Sequence, residues 1–210
     1  VTSFPSRIFS TFARNLFFTV LTLSFPHFAS ATISYQLSLT NPAQHLFHVT
    51  INIPDVHGDL TVQMPAWNAL YEIRDFSSRV QRVEAFTGSH PLPIEKVDKL
   101  TWHIHGEGIV TIRYAIYWDS PGPFASQLND EHAFINPAMV FMYLPERRDE
   151  AIFLALQDLP SNWNVATPLN LSTFEAGRET AHTISARNYD AFADGPIEAG
   201  TFKLFQISAT

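Results

Sequence analysis

Thr101-Trp102-His103-Ile104-His105-Gly106-Glu107-Gly108-Ile109-Val110-Thr111-Ile112-Arg113-Tyr114-Ala115-Ile116-Tyr117-Trp118 carries the clearest periodicity in the chain. Trp102 and Ile104, then Val110, Ile112, Tyr114, Ile116 and Trp118, recur at every second position with Thr, His or Arg among the residues between. A strand sends successive side chains to opposite faces, so this period marks half-buried strands. Gly106-Glu107-Gly108 predicts a turn between them, hence a hairpin. Upstream, Val49, Ile51 and Ile53 alternate with Thr50 and Asn52, and Leu60, Val62 and Met64 with Thr61 and Gln63. Pro54-Asp55-Val56-His57-Gly58-Asp59 lies between and has turn chemistry, which predicts a second hairpin. Apolar runs at 139–144 and 151–156, bounded by Pro137, Pro145 and Pro160, predict strands buried on both faces, and 201–207 predicts a last strand. Helix is scarce: in 70–83 Ile73, Phe76, Val80 and Val83 recur at helical spacing, but Ser77-Ser78 weakens the pattern to a short helical or irregular turn. The expected fold class is mostly β, an antiparallel β-sandwich or saddle-like packed sheets with little helix.

The 210 residues suffice for one domain, and 46% hydrophobic content with 14 prolines and 8 glycines excludes collagen-like and disordered chains. Thirteen Lys+Arg against 20 Asp+Glu give a net charge of −7, which opposes a polyphosphate and speaks against a nucleic-acid partner. With no cysteine, disulfides, thiolate zinc sites and cysteine nucleophiles are excluded, and any metal needs His, Asp or Glu. Residues 1–31 hold Arg7 and Arg14, no acid, an apolar run from Leu16 to Phe25, then Pro26 and Ala29-Ser30-Ala31. That order predicts a signal peptide cleaved after Ala31, leaving 32–210 as one secreted or periplasmic domain. At 1.5 Å per residue the run covers only about half a hydrocarbon core, so no membrane partner is expected after cleavage.

Chemistry is thinly marked. His103 and His105 leave the same face of a strand and could in principle chelate one ion, but the alternation puts them on the solvent side and a third ligand is needed. No H-E-x-x-H, G-x-S-x-G, G-x-G-x-x-G or P-loop occurs, and Gly88-Ser89-His90-Pro91 reads as an ordinary turn. Asp130, Glu131, His132 and Asn136 gather acid, base and amide within seven residues, in a setting that equally suits a pinned loop. The stretch 64–76, with Trp67 and Tyr71, suits a core edge or an interface.

Here the chain resembles the N-terminal domain of the glycyl aminopeptidase family, family sixty-one of the metallopeptidases. The likeness runs through Tyr35-Gln36-Leu37, Pro42-Ala43-Gln44-His45, Pro65-Ala66-Trp67, Ile73-Arg74-Asp75-Phe76 and Pro91-Leu92-Pro93. It continues in Thr101-Trp102, His132-Ala133-Phe134 with Asn136, Trp163, Asn188-Tyr189-Asp190 and Asp194-Gly195-Pro196, spanning nearly all of 35–205. One departure is Asn68-Ala69-Leu70, where many members carry a Pro-Gly pair. The resemblance implies a β-rich, non-catalytic domain of a secreted zinc aminopeptidase, packed in cis or in trans on a thermolysin-like catalytic domain and shaping its substrate cleft for peptides. It implies zinc only in that catalytic domain, no cofactor or metal ligand in this chain, inactivity alone, and a truncated or split gene product. Trp67, Tyr71, Arg74, Asp75, Asp130, His132 and Asn136 are the expected interface or cleft residues. The rival readings are a stand-alone periplasmic peptide- or glycan-binding module using Trp67, Trp118 and Trp163, and a metal hydrolase built on His103 and His105.

Overall fold

The computed structural model describes residues 32–67, 73–176, 179–203 and 205. The expected signal peptide, Tyr71 and residues 204, 206 and 207 of the expected last strand lie outside these residues, and the described residues 201–203 and 205 form no strand. The described strands are β1 (Ile33–Ser38), β2 (Leu46–Gln63), β3 (Val80–Thr87), β4 (His90–Leu92), β5 (Ile94–Lys96), β6 (Thr101–Tyr117), β7 (Gln127–Leu128), β8 (His132–Ile135), β9 (Ile152–Gln157), β10 (Asn164–Ala166), β11 (Asn170–Ala176), β12 (Glu179–Ala186) and β13 (Ile197–Gly200). Short helices α1 (Pro137–Val140) and α2 (Tyr189–Ala193) complete the frame. A nine-stranded sheet runs β11-β12-β9-β1-β2-β6-β3-β4 with β5 also on β6, and a four-stranded sheet runs β10-β13-β8-β7. The mostly β expectation holds, with one parallel pairing, β1 on β9, in otherwise antiparallel sheets.

Both expected hairpin turns are corrected. β2 and β6 each run unbroken through them and pair with one another from Leu46↔Tyr117 to Gln63↔Thr101. At about 3.3 Å per residue, the 18 residues of β2 span roughly 60 Å. The turn-forming residues are spent on a bulge: three steps from Ile53 to Val56 face two steps from Val110 to Gly108. Asp55 takes the extra place at φ 53°, and Gly58 and Gly108 adopt φ 87° and 75°. The inserted residue switches which side chains point inward. Phe47, Val49, Ile51 and Ile53 are buried before it, and Val56, Leu60 and Val62 after it. The facing strand keeps Ile104, Val110, Ile112, Tyr114 and Ile116 buried in one parity throughout.

The expected strand at 139–144 is also corrected. Residues 137–140 form α1, and four successive carbonyls are met by buried aromatic side chains instead of a neighbouring strand. The Trp118 indole donates to the Met139 carbonyl (3.0 Å), and the Tyr114, Tyr189 and Tyr35 hydroxyls to those of Val140 (2.9 Å), Phe141 (2.7 Å) and Met142 (2.9 Å). The Met142 N–H in turn donates to the Tyr114 oxygen at 2.9 Å. Burial raises all three phenols above their ordinary pKa, so they stay neutral donors. One buried cluster joins both sheets, from Phe47 and Ile112 to Ile135 and Ile197. The 151–156 strand appears as β9 but is buried on one face and not on both: Ile152, Leu154 and Leu156 are buried, while Phe153 is 39% exposed. The 70–83 segment holds a 3-10 turn over Phe76–Arg79, and the last described strand is β13, ahead of 201–207. Among the described residues no helix is long and apolar enough to cross a membrane.

Candidate functional site

Residues after β2 begin the site. The β2 end is fixed by reciprocal backbone bonds between Gln63 and Tyr143 (2.8 Å each way) and by the Arg74 N–H on the Ala66 carbonyl (2.8 Å). Pro65, Ala66 and Trp67 then form one wall of a cavity of about 740 Å³. Pro123 and Phe124 form a second wall, and Phe134, Asn136 and Ala138 a third. On the remaining side α2 brings Tyr189, Asp190 and Ala193, its first turn capped by the Asn188 carboxamide, which accepts from the Ala191 N–H at 2.9 Å.

The cavity is aromatic with a small polar set, the usual composition of a recognition site. Tyr143 stacks on Tyr189 with centroids 4.9 Å apart, and its hydroxyl donates to Gln63 Oε1 at 2.9 Å. Arg148 lies over the Tyr143 ring at 5.7 Å and is ion-paired to Asp190, whose hydrogen bond raises the guanidinium pKa further. Trp67 is 49% exposed. The Asn136 carboxamide faces the cavity without a hydrogen bond to any described residue, while its backbone N–H donates to buried Ser126 Oγ at 3.0 Å.

A second cavity of about 290 Å³ adjoins the first, sharing Pro123 and Phe134, and is lined by His132, Gln127 and Glu198. His132 Nδ1 is 2.7 Å from Glu198 Oε1, and its Nε2 is 3.2 Å from Gln127 Oε1. Gln127 Nε2 donates to Asp119 Oδ1 at 2.9 Å, and Asp119 Oδ2 lies 3.7 Å from His45 Nε2. Residues 114–146 contain no Lys or Arg, so histidine supplies the basic groups of this linked set.

The expected site residues therefore separate. Trp67 and Asn136 reach the larger cavity and His132 the smaller, while Asp130 is exposed in a turn pinned by Asn129, whose Oδ1 accepts from the Glu131 and His132 N–H groups at 2.9 Å. Arg74 is exposed, and Asp75 caps the 3-10 turn. Its Oδ1 accepts from Ser77 Oγ at 2.7 Å, the main cause of its lowered pKa. Tyr71 lies outside the described residues. Tyr143, Arg148 and Phe124 were missed by sequence reasoning because they lie far apart along the chain; Tyr189 and Asp190 carried only the family likeness.

His103 and His105 are exposed, as the alternation requires, and His105 Nδ1 lies 2.8 Å from Asp59 Oδ1. Among the described residues no three His, Asp or Glu side chains are grouped to hold a metal ion. Trp118 and Trp163 are buried, which removes them from the exposed-aromatic surface expected of a stand-alone binding module.

A search of curated protein sequences found no match. Among solved structures, the aminopeptidase N family protein from Idiomarina loihiensis is similar with a TM-score of 0.75 and 25% identity, over 80% of this chain and 29% of that chain. The M1 zinc metallopeptidase from Deinococcus radiodurans is similar at a TM-score of 0.48 and 10% identity, over 80% of this chain and 41% of that one. This chain thus spans less than a third of the first protein and less than half of the second. The model of the Peptidase M61 N-terminal domain matches residues 34–201, most of the described β-rich domain, and the chain belongs to that family.

Proposed function

We propose that this domain is the non-catalytic N-terminal part of an M61 aminopeptidase system, packs on a thermolysin-like zinc domain in cis or in trans, and lends its larger cavity as one wall of a peptide cleft. The observation that carries the reading is an open aromatic cavity, with Trp67 half exposed at its wall, on a domain of this family. Zinc and the bond-breaking chemistry would reside in the partner domain; this chain's residues would bind and orient. Trp67, Phe124 and Tyr143 offer apolar surface, and Asn136 a carboxamide able to pair with a peptide group. Export through residues 1–31 belongs to the same proposal, and N-terminal sequencing of the exported product should begin at Thr32.

The direct test mixes this chain with a separately produced M61 catalytic domain and measures association by calorimetry. Binding that weakens at least tenfold in Trp67→Ala supports the reading; no binding removes it. The cavity also favours a second reading, a peptide-binding module acting alone. Of the four tryptophans, Trp102, Trp118 and Trp163 are buried, so peptide-dependent emission lost in Trp67→Phe, without any catalytic domain present, would select that alternative.

A further inference from the structure

Every open sheet margin presents backbone N–H and C=O groups that can template another strand, and proteins blunt such margins with short strands, proline, charge or bulges. Most margins here follow that rule. β4 has three residues with Pro91 at its centre, β5 has three including Glu95 and Lys96, β7 has two and β10 has three. β11 departs from it. This outermost strand of the large sheet has seven residues, Asn170-Leu171-Ser172-Thr173-Phe174-Glu175-Ala176, and pairs with β12 at every position with no register shift. It contains no proline, glycine, lysine or arginine, and Phe174 is 61% exposed. Along an antiparallel strand alternate residues turn their N–H and C=O away from the neighbour, so β11 aims a row of backbone groups outward with no described strand beside it.

We infer that β11 is an interaction edge and that its occupant is β11 of a second copy of this chain, paired antiparallel about a two-fold axis at Thr173. The edge is self-complementary in that register. Ser172 falls opposite Phe174 of the partner, Leu171 opposite Glu175, and Thr173 opposite its own copy. Glu175 is the only charged residue of the strand, so this register opposes no like charges. Each Phe174 is partly covered by the other chain, and the two large sheets become one continuous sheet. Isologous pairing of one patch with itself is the commonest way to close a dimer. None of the residues lining the larger cavity lies on β11, so this association leaves that cavity open and stands or falls separately from catalytic-domain docking.

Edge pairing buries less than the roughly 1,200 Å² of stable interfaces, so the dimer should be weak and concentration-dependent. Sedimentation of the full chain up to about 0.5 mM should show a reversible monomer–dimer equilibrium, as expected for a small interface. Thr173 is exposed, so Thr173→Lys and Thr173→Glu should fold but place like charges across the axis. Each variant alone should be monomeric, and an equimolar mixture should restore the dimer. A monomeric wild type at 0.5 mM, a dimer that survives either substitution, or a mixture that stays monomeric would each overturn the inference. Hydrogen exchange of the wild type gives a readout without substitution. Protection of β11 amides should rise with concentration; dimerisation without added protection there also overturns it.

Discussion

The β2–β6 ribbon and residues 139–142 both bury their backbone, and they satisfy it by opposite means. In the ribbon a ladder from Leu46↔Tyr117 to Gln63↔Thr101 pairs main chain with main chain. In residues 139–142 the carbonyls accept from side chains, an indole or a phenol each: Trp118, Tyr114, Tyr189 or Tyr35. A ladder tolerates most side-chain changes because its bonds belong to the backbone, whereas the second arrangement hangs on individual donor atoms. The ribbon's weak point is therefore its residue count, and the segment's weak point is its hydroxyls.

Deleting Asp55 attacks the count and should have the largest effect. Without the extra residue, one half of β2 must turn its inward set to solvent, either Phe47, Val49, Ile51 and Ile53 or Val56, Leu60 and Val62. Exposing such side chains costs about 1.5–3 kcal/mol each against a total stability of about 5–15 kcal/mol, so the cooperative thermal transition should vanish. Tyr114→Phe comes next. It strips the Val140 carbonyl and the Met142 N–H at once, each worth about 1–3 kcal/mol when left buried and unpaired, read as a fall in denaturant midpoint.

The same phenols give an alkaline signature. Their pKa values are raised by burial in the folded state, so below about pH 10, where unfolded tyrosine stays protonated, their neutral form costs nothing. Above it the unfolded chain releases protons that the folded chain retains. Stability should fall as pH rises beyond 10, with a shallower slope in Tyr114→Phe than in the wild type. Gly108→Ala should cost about 1–2 kcal/mol, since φ 75° disfavours a side chain while the added carbon meets no atom within 4 Å. His105→Ala should stay within about 0.5 kcal/mol, because the His105–Asp59 pair is exposed.

Alternation located the buried faces of β2 and β6 from sequence because period two reports burial directly, whereas the apolar run that became β9 predicted two buried faces where the fold buries one. It could not report continuity: Pro54-Asp55 and Gly106-Glu107-Gly108 have the chemistry of turns, and that chemistry serves equally well in a bulged ribbon. The apolar run at 139–144 revealed that it is interior but not who accepts its hydrogen bonds, since Tyr35, Tyr114 and Tyr189 arrive from distant parts of the chain. Of the cavity, Trp67 and Asn136 were legible through their unusual neighbourhoods. Arg148 and Asp190 were not, because an ion pair spanning 42 positions leaves no local pattern.

The parallel pairing of β1 on β9 sets a timetable for synthesis. Ile33 leaves the ribosome long before Ile152, its partner in the finished sheet, so β1 can join β2 early but must wait through more than a hundred further residues for its other neighbour. At roughly 5–20 residues per second that delay lasts several seconds or longer. Throughout it, one flank of the nascent sheet remains open to other strands and to chaperones.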